Sequence, residues 1–192
     1  MIDSRIRMAK QRWIYRAGGL LLLVMVAGCN GDKKATPENL TRGLNFYFSN
    51  NDDCLFPSAI RFPYEAGTAS GDVDKNKAGL DALAAAGLLR SLEDRDIHVK
   101  RYEVTPYGSH VPPRFCYGHR VVTNIVSFTP PAAVNRQLTT QVDYHYKMMD
   151  VPGWADSDQI RKTFPAFARA TSGNAEDHAT LVLTVNGWRI PE

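Results

Sequence analysis

Leu138-Thr-Thr-Gln-Val-Asp-Tyr-His-Tyr-Lys-Met-Met149 alternates with a period of two. Val142, Tyr144, Tyr146 and Met148 face one way, and Gln141, Asp143, His145 and Lys147 the other. In an extended chain this gives one covered and one wet face, the mark of an antiparallel sheet rather than a parallel one buried on both sides. Upstream, residues 115–128 are β-rich, with Val121, Val122, Ile125 and Val126, and Pro130-Pro131 ends the segment. Downstream, Ala179, Leu181, Leu183 and Val185 alternate against Thr180 and Thr184. Asn186-Gly187 then predicts a tight hairpin that returns Trp188 and Ile190 over the sheet. Between these strands a helix is expected over 157–170, with Ile160, Phe164 and Phe167 on one side and Pro165 kinking or restarting it.

The front of the chain follows helical rules. Thr36-Pro37-Glu38 supplies an N-cap, a first-turn proline and an acid, and Leu40, Leu44, Tyr47 and Phe48 recur at helical spacing, so a helix is expected over 37–50. Asn50-Asn51-Asp52-Asp53 stops it, and the proline- and aromatic-rich stretch 55–71 holds a short extended piece around 59–62. Asp74 is expected to cap a second helix over 75–86, with Gly87 at its C-terminal end. Leu88-Leu89, a charged turn at Glu93-Asp94-Arg95-Asp96 and residues 98–105 read as a β-ribbon. The predicted class is α+β, a helical N-terminal half followed by an antiparallel β-sheet with one further helix. Residues 36–192 form one domain, since roughly 160 residues suffice for a single core.

The N-terminus carries an address. Residues 1–16 hold Arg5, Arg7, Lys10, Arg12 and Arg16 against Asp3, and the apolar run from Ala17 to Ala27 is shorter than the roughly 20 residues a membrane span needs. A basic flank, a short apolar core and small exit residues describe a secretory signal peptide. The exit reads Val26-Ala27-Gly28-Cys29 and resembles the lipobox of bacterial lipoproteins. That resemblance implies cleavage between Gly28 and Cys29 and lipid attachment at Cys29. The expected division is then a signal peptide 1–28, a polar tether 29–35 and a periplasmic domain 36–192. Acyl chains contribute about 0.8 kcal/mol per buried CH₂, so a multiply acylated Cys29 is a durable anchor. Asn30, where the lipoprotein pattern uses Asp for inner-membrane retention, points to the outer membrane.

Charge and cysteines narrow the classes further. The whole chain carries +3, but its first 28 residues hold five of the 23 basic and one of the 20 acidic side chains. The remaining 18 bases and 19 acids leave the mature chain at −1, without the broad basic field of a nucleic-acid binder. With Cys29 committed to lipid, Cys54 and Cys116 remain, and in an oxidising compartment a disulfide between them is expected. Closing a loop of about sixty residues restricts the unfolded chain by roughly 4 kcal/mol.

Two weaker resemblances follow. Leu80-Asp-Ala-Leu-Ala-Ala-Ala-Gly-Leu-Leu89 followed by Tyr102-Glu-Val-Thr-Pro-Tyr-Gly108 resembles the last helix and wing of winged-helix domains. Lys77 against Asp81 is not the basic helix DNA binding needs. Phe115-Cys-Tyr-Gly-His119, Val142-Asp-Tyr-His-Tyr-Lys147 with Pro152-Gly-Trp154, and Ala179-Thr-Leu-Val-Leu-Thr184 with Asn186-Gly-Trp188 resemble small proteobacterial lipoproteins without an assigned activity. That likeness implies a shared fold and lends no chemistry.

The residues show no catalytic set and imply no cofactor. There is no Gly-x-Ser-x-Gly elbow, and Cys116 and His119, three apart on a strand, point to opposite faces. Of the five histidines, His119 and His145 are the pair that a sheet could bring together, with Asp143 as a third ligand; the plainer reading is solvated strand-face residues. Tyr144, Tyr146 and Trp188 are expected in the core, and Trp154, in its Pro-Gly-Trp loop, is the candidate interaction residue. The expected function is non-enzymatic: a lipid-anchored envelope protein that contacts an envelope protein partner, as an immunity or inhibitor lipoprotein does. The competing expectation is a binder of a small molecule or peptidoglycan fragment, or a weak hydrolase, using a pocket between helices and sheet.

Overall fold

The structure is a computed structural model that describes residues 30–69, 74–111 and 113–191. The signal peptide expected over 1–28, with Gly28 at its end, and the expected lipid-attachment residue Cys29 lie outside the described residues. The chain is α+β, built on two antiparallel sheets. Among the described residues no helix is long and apolar enough to cross a membrane.

Helix α1 (Pro37–Phe48) starts as its sequence dictates, with the Thr36 hydroxyl accepting a hydrogen bond from the Asn39 amide at 3.4 Å. After a loop come β1 (Tyr64–Gly67), α2 (Lys77–Ala85), β2 (Leu89–Asp94) and β3 (Val99–Val104). The first half is therefore not helical throughout. The extended piece expected at 59–62 falls later, as β1, which pairs with β3 to give a three-stranded sheet of order β1-β3-β2. Asp74 does not cap α2 directly. Its carboxylate accepts from the Asn76 amide at 2.7 Å and the Tyr64 hydroxyl at 2.8 Å, closing the turn ahead of the helix. At the other end Gly87 adopts φ +78°, and the Leu88 and Gly87 amides donate to Leu83 and Ala84. That left-handed exit satisfies the last carbonyls and turns the chain into β2. Asp81 fixes α2 to the sheet, accepting from Lys77 (2.9 Å), Lys100 (2.6 Å) and the Tyr102 hydroxyl (2.7 Å).

The second sheet holds β4 (His119–Phe128), β5 (Ala132–Val134), β6 (Gln137–Met149), β7 (Ala175–Thr184) and β8 (Gly187–Arg189). Its order is β4-β6-β7-β8, with β5 also paired to β6. The two prolines do end β4, but the chain resumes as β5 and turns back through Asn135 and Arg136, both at positive φ, as a two-residue hairpin requires. The period-two reading of β6 holds, with Val142, Tyr144 and Tyr146 buried and Gln141, Asp143 and Lys147 exposed. Val185 departs from the expected alternation and is 87 % exposed, because it lies in the β7–β8 turn.

Helix α1 crosses the inner face of this sheet between β4 and β8. A Cβ at Gly43 would lie 2.4 Å from the Trp188 carbonyl oxygen, so glycine is what lets the helix seat this closely. Pro165 restarts the later helix rather than kinking it, giving α3 (Asp158–Thr163) and α4 (Pro165–Ala170), since a proline is favoured in a first turn and excluded from an interior. One apolar cluster joins the α2 half to the larger sheet through Leu80, Leu83, Phe115, Ile160, Tyr144 and Trp188.

Candidate ligand-binding cleft

Cys54 and Cys116 are bonded, with S–S 2.08 Å. They face each other in an isolated antiparallel bridge flanked by hydrogen bonds from Asp53 N to Gly118 O and from Tyr117 N to Asp53 O, both 2.8 Å. The disulfide therefore ties the loop after α1 to the entry of β4, and fixes two neighbours, Asp53 and Tyr117.

Trp154 is not the exposed contact residue its loop suggested. It sits in a short 3-10 turn, is 8 % exposed and packs edge-on to Phe115 with ring centres 6.5 Å apart. Tyr144, Tyr146 and Trp188 are buried, as expected of core aromatics. The indole Nε1 of Trp188 has no hydrogen-bond partner among the described residues. His119 and His145 do not meet, because the register sets His119 opposite Met149 and His145 opposite Asn124. His145 Nδ1 lies 3.1 Å from Asn174 Oδ1, while Asp143 accepts from the Ser127 hydroxyl at 2.6 Å. Among the described residues no cluster of metal-ligating side chains occurs.

The organising residue is Arg120. Its guanidinium reaches from β4 across the central strand, donating to Asp53 at 2.7 Å and to Asp177 on β7 at 2.5 Å. The Tyr146 ring supports it from 4.6 Å, and the Phe48 ring of α1 from 5.3 Å. Burial works against its charge, but the two carboxylates outweigh burial and hold its pKa above the ordinary value. The trio of one cation and two anions still carries −1 at a position where the Arg120 side chain is only 20 % exposed. A patterning signal for this trio is visible in the sequence: Arg120 shares the phase of Val122, and Asp177 the phase of Ala179 and Leu181. These are opposite charges on the inward faces of two strands flanking a third. Asp53 gave no such signal, since it reads simply as part of a helix stop.

The trio borders a cleft of about 640 Å³ between α4 and the larger sheet, within the range usual for small-molecule sites. Tyr117, Tyr146 and Arg120 line its inner part, and Arg169, Asn174 and Glu176 stand exposed at the rim. Phe167 of α4 meets the Tyr117 ring edge-on at 4.7 Å and so sets the spacing between helix and sheet. Gly173, at φ +92°, turns the short connection from α4 into β7 that closes one end. Tyr117 and Tyr146 are each 6 % exposed, yet among the described residues neither hydroxyl has a hydrogen-bond partner. Burial pushes the Tyr117 hydroxyl up to about 12, with Asp53 adding to the effect, and burial raises Tyr146 as well. Both phenols are therefore neutral donors at neutral pH. Arg169 has no ion-pair partner among the described residues.

A second depression of about 450 Å³ lies on the other side of the Arg120–Asp177 pair, against Tyr47, Asn51 and Tyr144. The open face of the three-stranded sheet is different in kind. Its charges are mutually paired, Arg101 with Glu65 at 2.5 Å and Arg90 with Glu103, so it offers few unused contacts. No protein-family model, curated protein or solved structure matches this chain.

Proposed function

We propose that this chain is a lipid-anchored envelope protein, held through Cys29 at the periplasmic face of the outer membrane, that binds a small polar ligand in the cleft between α4 and the sheet. A peptidoglycan fragment is the class that suits both that address and a polar, aromatic-floored site. The observation that carries the reading is the pair of largely buried tyrosines, Tyr117 and Tyr146, that line the cleft and whose hydroxyls have no hydrogen-bond partner among the described residues. Rings held in the core with hydroxyls left uncommitted are the kind of placed polar group that orients a ligand in a cleft.

Binding rather than turnover is favoured by the lining. Arg120 is engaged by two carboxylates and stands as a fixed part of the wall rather than a free reacting group. The protein-contact reading is weakened, because Trp154 is buried.

The test uses the full-length protein purified from bacterial membranes and a muramidase digest of peptidoglycan. Retained fragments are identified by mass spectrometry for the native protein and for Ala166→Trp, which fills the cleft from an exposed position on α4. Fragments retained by the native protein and lost by the variant are expected. No retention, or equal retention by both, overturns the proposal.

A further inference from the structure

The cleft is electrically divided, and its two halves ask for different charges on one ligand. On the α4 wall Arg169 has no ion-pair partner among the described residues, and the Tyr117 and Tyr146 hydroxyls of the same lining are neutral donors. Donors of this kind suit a carboxylate, with which a guanidinium and hydroxyls form charge-assisted hydrogen bonds. On the β7 wall Asp177 belongs to the trio that retains −1. Asp177 gives one oxygen to Arg120 and the other to the His178 amide at 2.8 Å, and its side chain, 37 % exposed, lines both the cleft and the second depression. A net negative charge held near a protein interior is stabilised by an added cation.

Resting on the cleft reading above, we infer that the site takes a zwitterion, an amino acid or a short peptide with both a carboxylate and an ammonium. The carboxylate seats on Arg169 and the two tyrosine hydroxyls, and the ammonium lies against Asp177. A sugar without charge would leave both halves unanswered. A plain dicarboxylate would be repelled by the β7 wall. The peptide portion of a cell-wall fragment carries both groups, so the two proposals converge on one ligand chemistry while remaining separately testable.

Four probes separate them by isothermal titration on the full-length protein: alanyl-alanine, N-acetylalanine (carboxylate only), alaninamide (ammonium only) and glucose (neither). Alanyl-alanine is expected to bind at least about tenfold more tightly than either singly charged probe, the size of one lost charge-assisted contact. Arg169→Ala is expected to weaken alanyl-alanine and N-acetylalanine by about tenfold and to leave alaninamide unchanged. Equal affinity for the dipeptide and one capped probe, with Ala166→Trp abolishing both, overturns the zwitterion and preserves the cleft. Binding of muramidase fragments in that assay with no dipeptide binding in this one also overturns the zwitterion. Probe binding that Ala166→Trp does not change overturns both.

Discussion

Arg120→Met removes a cation that two carboxylates share and leaves Asp53 and Asp177 facing each other across the space it filled. The native contacts are 2.7 and 2.5 Å long, and the three side chains are 20 %, 22 % and 37 % exposed. Breaking a fully buried pair by deleting one partner costs about 3–5 kcal/mol, and this partial burial places the loss at the lower end, about 3 kcal/mol. Two cation–π contacts add about 0.5–1 kcal/mol each, part of which the methionine stem returns by packing on the same rings. In a domain of this size a loss of about 3 kcal/mol lowers Tm by roughly 6–12 °C. The assay is urea unfolding with the disulfide intact, followed by tryptophan fluorescence, because Trp188 is 1 % exposed and reports loss of the core. The decisive control is the triple variant Arg120→Met, Asp53→Asn, Asp177→Asn. Removing the two stranded charges with the cation is expected to bring stability back to within about 1 kcal/mol of the native protein, since an entire buried ionic group can be replaced at little net cost. If Arg120→Met costs less than about 1 kcal/mol, or if the triple variant is no more stable than the single one, the trio is not the electrostatic unit described here.

Two further outcomes follow from other contacts. The Asp81 carboxyl is opposed by burial, yet hydrogen bonds from Lys100, Tyr102 and Lys77 hold it below the usual carboxylate range. A folded-state value below the unfolded one adds stability above about pH 4 and loses it as pH falls through the lowered folded value. Asp81→Asn should therefore cost about 1 kcal/mol at pH 7 and flatten the decline towards pH 3, and parallel urea midpoints for the two proteins at both pH values would refute this. The Cys54–Cys116 bond closes a sequence separation of 62, so Cys54→Ser with Cys116→Ser should cost about 4 kcal/mol in the entropic account. Alkylation and mass spectrometry of the unreduced native protein should find neither thiol free, and two alkylated cysteines would overturn the pairing.

The legibility of the fold varied with how local its cause was. Strand β6, the Thr36 cap of α1, the Gly87 exit of α2 and the restart at Pro165 each depend on a few neighbouring residues, and the structure shows each where the sequence reading put it. Strand β1 slipped because a short edge strand is defined by its partner β3, about 36 residues away in the Glu65–Arg101 pairing, and not by its own pattern. Strand β5 was missed because two prolines end one strand without saying whether another begins. Trp154 was misread because a Pro-Gly-Trp loop looks exposed until Phe115 is brought against it.

By itself the sequence determined the α+β class, the inward phase of β6, the Thr36 cap of α1 and the Gly87 exit of α2, all set by backbone sterics and periodicity over a few residues. The pairing of Cys54 with Cys116 was also legible, because once Cys29 is set aside only two cysteines remain. Only the tertiary structure decided the site. Asp53, Arg120 and Asp177 come from a loop and two strands separated by 67 and 57 positions, and no local rule couples them. Their meeting depends on β6 lying between β4 and β7, on the disulfide pressing the α1 loop against β4, and on α4 standing off the sheet far enough to leave a cleft. Those are consequences of long-range packing, in which charge, ring and cavity acquire their meaning together.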